Sequence, residues 1–189
     1  MGVGAPVGAD RAGSGATPAT VALTRAGVAF TEHTYVHAPG AASYGVEAAQ
    51  LLGLDPAQVF KTLITSVDGR LVVGIVPVTG QLDLKAIAAV SGGKKAVMAD
   101  PTAAERATGY VVGGISPVGQ RRTHPTVLDV SALGLDRLYV SGGRRGLDLG
   151  LSPADLVRVT DAIVAPIARQ PAQSASWDRP HPEHRDSWT

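Results

Sequence analysis

Two apolar runs, Val59 to Val67 and Arg70 to Val78, are separated only by Asp68-Gly69. Asp-Gly between such runs is a strong short-range signal for a tight β-hairpin. The favoured two-residue turn needs positive φ at both central positions, which glycine accepts without steric cost. A long antiparallel pair is therefore expected near the middle of the chain. Helix signals surround it. Thr17-Pro18 opens a helix ending at Gly27, Ser43 caps one ending at Gly53, and Asp83 to Val90 forms a short third. Asp100-Pro101 opens a helix ending at Gly109, and Ser152-Pro153 opens one running through Val157. Ser, Thr or Asp followed by Pro is the usual chemistry of a helix start: the side-chain oxygen accepts from an unpaired N–H and proline fits the first turn. Further strands are predicted over Val28–His37, Thr126–Val130 and Arg137–Ser141. A last strand or docking segment is predicted over Ala162–Ile167. Helices and hairpins interleave without a regular βαβ period. The pattern predicts an α/β domain with a mixed, partly antiparallel, curled sheet and helices outside it.

The chain has 189 residues, enough for one domain with a full core and too few for two ordinary ones. Residues 1–16 are rich in Gly, Ala, Ser and Pro; residues 170–189 are polar, with three prolines and two isolated tryptophans. Both are expected to be disordered tails, leaving 17–169 as the folded domain. No run of about 18 apolar residues marks a membrane span, and the first 16 residues do not resemble a signal peptide. A cytoplasmic location is expected. The sequence has no cysteine, which excludes disulfides, thiolate metal sites and a cysteine nucleophile of the protein's own.

Between 17 and 169 there are 14 basic and 12 acidic residues, too nearly balanced for a general nucleic-acid-binding surface. The basic residues nevertheless fall in pairs beside Gly-rich loops: Lys94-Lys95, Arg121-Arg122 and Arg144-Arg145. Each pair reads as a solvated turn, or the three together as a local phosphate-facing patch.

Three segments look site-like. Gly109 to Gln120 leads from an apolar, strand-like stretch into a loop with glycines at 113, 114 and 119 and Pro117. Bare backbone stiffened by proline can read a small polar ligand through main-chain groups. Val59-Phe60-Lys61-Thr62-Leu63 places a charge inside an apolar strand. Lys61 is either an edge lysine reaching water or a cation at a cavity floor. In Ser141-Gly142-Gly143-Arg144-Arg145-Gly146-Leu147-Asp148, Asp148 is either a turn carboxylate bonded to nearby N–H groups or the partner of an ammonium, from Lys61 or from a substrate. His33, Tyr35 and His37 share a strand face, but no third ligand accompanies them, so a polar face is favoured over a metal site. Gly-x-Ser-x-Gly, the P-loop and the dinucleotide fingerprint are all absent, which argues against nucleotide cofactors.

Together these segments resemble the YbaK-type Cys-tRNA(Pro) deacylases, relatives of the editing domain of bacterial prolyl-tRNA synthetases. The resemblance runs from about Thr17 to Arg169. It rests on ordered blocks that include His33-Thr34-Tyr35-Val36-His37, Val59-Phe60-Lys61-Thr62-Leu63, Gly80 to Lys85, Met98-Ala99-Asp100-Pro101, Thr108 to Gln120 and Tyr139 to Asp148. It implies a single α/β domain with a mixed, barrel-like sheet surrounded by helices. It implies an enzyme that removes cysteine from tRNA(Pro), and from tRNA(Cys) when free in solution, without a cofactor. A complex with prolyl-tRNA synthetase is an expected association. By the same resemblance Lys61 is the lysine needed for activity, and Gly113 opens a Gly-x-x-x-Pro loop, with Gly114 and Pro117, that holds the aminoacyl group. Tyr35, Thr62, Ser141 and Asp148 line the pocket, and Lys61, Gly113 and Asp148 carry the chemistry. The family's chemistry is substrate-assisted: the cysteine thiol attacks its own ester and leaves as a thiolactone. An activated water, an editing hydrolase for alanine and a non-catalytic aminoacyl-tRNA-binding module remain alternatives.

Overall fold

The computed structural model describes residues 15–36 and 44–169. The expected tails, apart from Gly15 and Ala16, lie outside the described residues, as do His37 and the Ser43 cap.

The Asp68-Gly69 turn has φ of 47° and 86°, as a two-residue hairpin turn requires. It joins β2 (Phe60–Val67) to β3 (Arg70–Pro77), in register from Val67↔Arg70 to Phe60↔Pro77. Each strand is buried on both faces. Phe60, Ile64, Val73 and Ile75 belong to one apolar cluster, while Val67, Val72 and Val76 belong to another. The hairpin is therefore the wall between two halves of the core. β6 (Thr126–Asp129) lies parallel to β3, and β9 (Ile163–Ala165) parallel to β6. β5 (Ala96–Met98) pairs antiparallel with Thr65–Val67 of β2 and forms the opposite edge of this five-stranded sheet.

A second sheet has the order β1-β8-β7, from β1 (Thr31–Thr34), β8 (Leu147–Leu151) and β7 (Leu138–Ser141), all antiparallel. It meets the first at a parallel bridge between Val59 and Tyr139. The two sheets curl around Leu138, Val140, Leu147, Leu149, Phe60 and Leu128, all at most 2% exposed. The fold is thus the expected mixed α/β domain. Among the described residues the sheets join at that bridge and hydrogen bonding does not run round a complete barrel.

The helices that Thr17, Asp100 and Ser152 are expected to cap start where those caps predict. α1 (Pro18–Arg25) has a capping box between Thr17 and Thr20. α2 spans Tyr44–Leu52. Asp83 caps α3 (Leu84–Val90), Asp100 caps α4 (Pro101–Thr108) and Ser152 caps α5 (Pro153–Thr160). α5 runs a turn past the expected Val157. An Arg158–Asp155 ion pair supports that turn and Asp161, at φ 49°, ends it. The expected strand over Val28–His37 shrinks to Thr31–Thr34, because Val28 donates back to the Leu23 carbonyl and closes α1. Val111–Val112 is not a strand. The Val112 N–H donates to the Glu105 carboxylate, and Gly114 N–H closes a turn on Val111.

The last strand, β10 (Ala168–Arg169), pairs with β4 (Gln81–Leu82). Asp129, 4% exposed, anchors it by accepting from the N–H groups of Ile167 and Ala168 at 2.9 and 2.7 Å. Burial alone would raise the Asp129 pKa, but these bonds and two from Ser131 outweigh it and lower the value.

Candidate functional site

β5 pairs with β2 only from Thr65 to Val67, and the chain then turns away: Ala99 N–H donates to the Ile64 carbonyl and α4 begins at Pro101. Residues 60–64 of β2 are left with an open side facing a cavity of about 310 Å³. Its walls are largely apolar, with Phe60, Ile64, Ala104, Val112 and Ile115 among them. Six polar residues converge on it: Tyr35, Tyr44, Lys61, Thr62, Ser141 and Asp148. An apolar cavity with a few converging polar groups is the usual form of a small-ligand site.

Lys61 is half-buried on β2. Its ammonium donates to the Gly80 carbonyl at 2.7 Å, in the turn between β3 and β4. Burial lowers its pKa. Asp148 sits in β8, opposite both His33 of β1 and Ser141 of β7, and is 3% exposed. Burial pushes its pKa up to about 6. It is therefore neither the turn carboxylate nor the partner of Lys61 that the sequence allowed. The ammonium is occupied by Gly80, and the carboxylate has no hydrogen-bond partner among the described residues. Two opposite charges face one cavity without neutralising each other, which suits a ligand that itself carries a charge. The buried Thr62 hydroxyl also lacks a partner there. Tyr35 is held by its N–H to the Gly146 carbonyl; burial, then the charges of Asp148 and Glu47, push its phenol up to about 12, so it stays protonated.

The glycine loop divides. Gly113 lines the cavity with φ 89°, and its N–H has no hydrogen-bond partner among the described residues. Gly114 and Pro117 do not line it. Gly114 is buried against backbone, and a Cβ there would stand 2.6 Å from the Arg144 carbonyl carbon. Pro117 borders a second cavity of about 250 Å³, beside Val118, Gln120 and His124. Most of this loop is thus bare so that the protein's own chain can pack on it, and only its first glycine faces the ligand space. A Cβ at Gly113 would fall 2.7–2.9 Å from the Tyr44 ring. Gly113→Ala is therefore expected to cost both stability and activity, since it adds a clash to a left-handed backbone. Thermal melting alongside turnover tests this; an unshifted melting temperature would show that the Tyr44 ring moves aside freely.

Sequence reasoning missed Tyr44. It stands at the first turn of α2 with Arg145 over its ring, 5.4 Å from guanidinium carbon to centroid. The same Arg145 donates to the Val112 carbonyl at 2.9 Å. It ties together the β7–β8 turn, the glycine loop and α2. No local signal marks Tyr44, because the contact joins residues a hundred positions apart. His33 faces Thr31, at 2.8 Å, and the edge of Tyr139. Among the described residues no three His, Cys, Asp or Glu cluster as metal ligands.

An aminoacyl-tRNA editing domain matches residues 38–159. The chain belongs to that family. It is 37% identical over 121 residues to EbsC of Enterococcus faecalis, named as a candidate Cys-tRNA(Pro)/Cys-tRNA(Cys) deacylase; the match covers 63% of this chain and 73% of that one. Its fold is similar to a crystal structure described as a candidate trans-editing enzyme for prolyl tRNA synthetase. That match has a TM-score of 0.69 and 26% identity, and covers 80% of this chain and 95% of the other. It is also similar to the crystal structure of hypothetical protein APE2540, with a TM-score of 0.72 and 26% identity, covering 81% of this chain and all of the other.

The unpaired Asp148 carboxylate has a measurable consequence for this editing domain. Its pKa rises from an ordinary 3.8 to about 6 on folding, so the folded state disfavours the charged form. The sign follows: Asp148 costs nothing below about pH 4, its cost grows as pH rises towards 6, and it is complete above that. The full cost is about 3 kcal/mol at neutral pH, at 1.36 kcal/mol per unit. Asp148→Asn should therefore raise stability at pH 7 and change it little at pH 4. Denaturant unfolding at both values tests this, and an equal effect at both would show that the carboxylate is not desolvated.

Proposed function

We propose that this chain is a trans-editing deacylase that removes cysteine mis-attached to tRNA(Pro), and that Cys-tRNA(Cys) is a second substrate. The observation that carries the reading is the cavity itself, in a chain of the editing-domain family. It brings Lys61, the Gly113 N–H and an unpaired Asp148 carboxylate around a space of about 310 Å³. That volume suits a small aminoacyl group on the end of a larger molecule that stays outside. Asp148 holds the substrate's α-ammonium. Lys61 and the Gly113 N–H face the ester carbonyl and stabilise the negative charge that grows on its oxygen.

The site contains no thiol, no Ser-His pair and no metal-ligand cluster among the described residues to serve as nucleophile. The nucleophile in this reading is the substrate's own thiol. Its sulfur bonds to the ester carbonyl carbon, the bond from that carbon to the ribose oxygen breaks, and the thiol proton ends on the ribose hydroxyl. The products are uncharged tRNA and a thiolactone, which water opens to cysteine. The protein's share is orientation and charge stabilisation. The reading places the protein in the cytoplasm, acting on released aminoacyl-tRNA or in complex with prolyl-tRNA synthetase. Among the described residues no helix is long and apolar enough to cross a membrane.

A deacylation panel with Cys-tRNA(Pro), Cys-tRNA(Cys) and Ala-tRNA(Pro) tests the assignment. Clearance of both cysteinyl substrates, with the alanyl one spared, is expected. Preference for Ala-tRNA(Pro) would make the protein an alanine-editing hydrolase, and binding without turnover of any would make it a non-catalytic module.

A further inference from the structure

Met98 and Ala99 line the cavity where β5 leaves β2, and Met98 is half exposed. From there outward the edge of the five-stranded sheet is open among the described residues, where β5 pairs with β2 alone. Its side chains are unusual for a free edge. Val97 and Met98 are 46% and 50% exposed, and Met98 both lines the cavity and faces solvent. Exposed apolar side chains on an edge strand invite a partner. Directly before the strand come Lys94 and Lys95, both exposed, and beside them Arg70, whose guanidinium donates to the Ser91 carbonyl at 2.8 Å. The lysines are set in place by backbone: both their N–H groups donate to the Asp68 carboxylate, at 2.7 and 3.1 Å. The acidic groups nearby already serve the fold. Asp68 is committed to those two bonds, and Asp100 caps α4 through the Ala103 N–H.

We propose that this edge is a track for the single-stranded 3′ end of the RNA that carries the aminoacyl group. The inference rests on the deacylase reading above. The terminal ester enters the cavity, the last bases lie against Met98 and Val97, and the phosphates behind them meet Lys95, Lys94 and Arg70. The dimensions agree. From Ala99 back to Lys94 is roughly 16 Å of extended chain, the length of four to five stacked nucleotides at about 3.4 Å each. A cationic line beside an apolar strip, with no base-specific donors required, is how proteins hold single strands without reading sequence. Such a track holds the substrate by its 3′ end and makes no use of the body of the tRNA.

The test compares the charge reversals Lys94→Glu/Lys95→Glu and Arg121→Glu/Arg122→Glu. The second pair is a control: Arg121 N–H donates to Thr108, at the end of α4 away from Pro101 and Ala104, which line the cavity. Each variant is assayed on a cysteinylated RNA hairpin with a single-stranded 3′ end, and on the cysteine ester of adenosine. Binding of the uncharged hairpin is measured as a function of salt. The Lys94/Lys95 variant should raise KM for the hairpin at least tenfold and leave its kcat, and turnover of the adenosine ester, unchanged. The salt slope for the uncharged hairpin should fall by about 1.4, at roughly 0.7 per single-strand phosphate. An unchanged KM and slope, or an equal effect in the Arg121/Arg122 variant, would overturn the track. If the protein turns over neither ester, the deacylase reading has failed, and the hairpin-binding arm still decides whether RNA runs along β5.

Discussion

Replacing Lys61 with alanine is expected to lower kcat/KM on Cys-tRNA(Pro) at least about a hundredfold, near the 3 kcal/mol typical of one lost donor at a developing oxyanion. The fold should survive. The side chain is only half-buried and its one hydrogen-bond partner among the described residues is the Gly80 carbonyl, which stays in its turn through Gly80 N–H to Pro77. In the proposed mechanism the ammonium is the acting form, and burial lowers its pKa. Wild-type activity should therefore fall as pH rises through that lowered value, and the alanine variant should lose this alkaline limb along with the rate. Circular dichroism and a melting curve establish folding; a pH–rate profile on both proteins carries the test. A folded variant with near-normal turnover and the same alkaline limb would remove Lys61 from the chemistry.

Changing the substrate's cysteine to serine should be as damaging as changing the enzyme. Ser-tRNA(Pro) presents nearly the same shape to the cavity, but a hydroxyl in place of a thiol that is partly ionised at neutral pH. If the thiol is the nucleophile, kcat falls at least about a hundredfold while binding persists, because no side chain at the site can replace it. The first product from Cys-tRNA(Pro) should be a thiolactone, with free cysteine following. Rapid quench with mass spectrometry separates the two. Equal clearance of the seryl substrate, with free amino acid as the first product, would assign the attack to water and give Lys61, Gly113 and Asp148 the task of placing it.

The parts of the fold legible in the sequence are those whose signals are local. Asp68-Gly69 needs only its own two residues to make a hairpin, and Pro18, Pro101 and Pro153 each sit one position after the side chain that caps the helix. β8 was not legible. Leu147 to Leu151 is buried at every position, so no alternation betrays a strand, and the Gly-rich approach reads as a turn. That hid the environment of Asp148, which looks like a turn carboxylate until β1 and β7 flank it. The glycine loop shows the opposite failure. Gly113 and Gly114 are equivalent in sequence, yet one borders the cavity and the other seats the Arg144–Arg145 backbone. Only tertiary packing separates them. Thr62, Lys61, Tyr35 and Ser141 line one space, while Tyr44 enters through a contact no window of sequence contains.

The carbonyl that holds the Lys61 ammonium belongs to a turn braced by the end of the domain. Gly80 adjoins β4, β4 pairs with β10, and β10 is pinned by Asp129. During synthesis Lys61 leaves the ribosome about a hundred residues ahead of Arg169, several seconds or more at roughly 5–20 residues per second. Through that interval the β2–β3 hairpin can form, but the brace behind its lysine does not yet exist. A nascent chain therefore carries the cavity's cation without the support that aims it, and the arrangement around the cavity is completed only as β10 emerges.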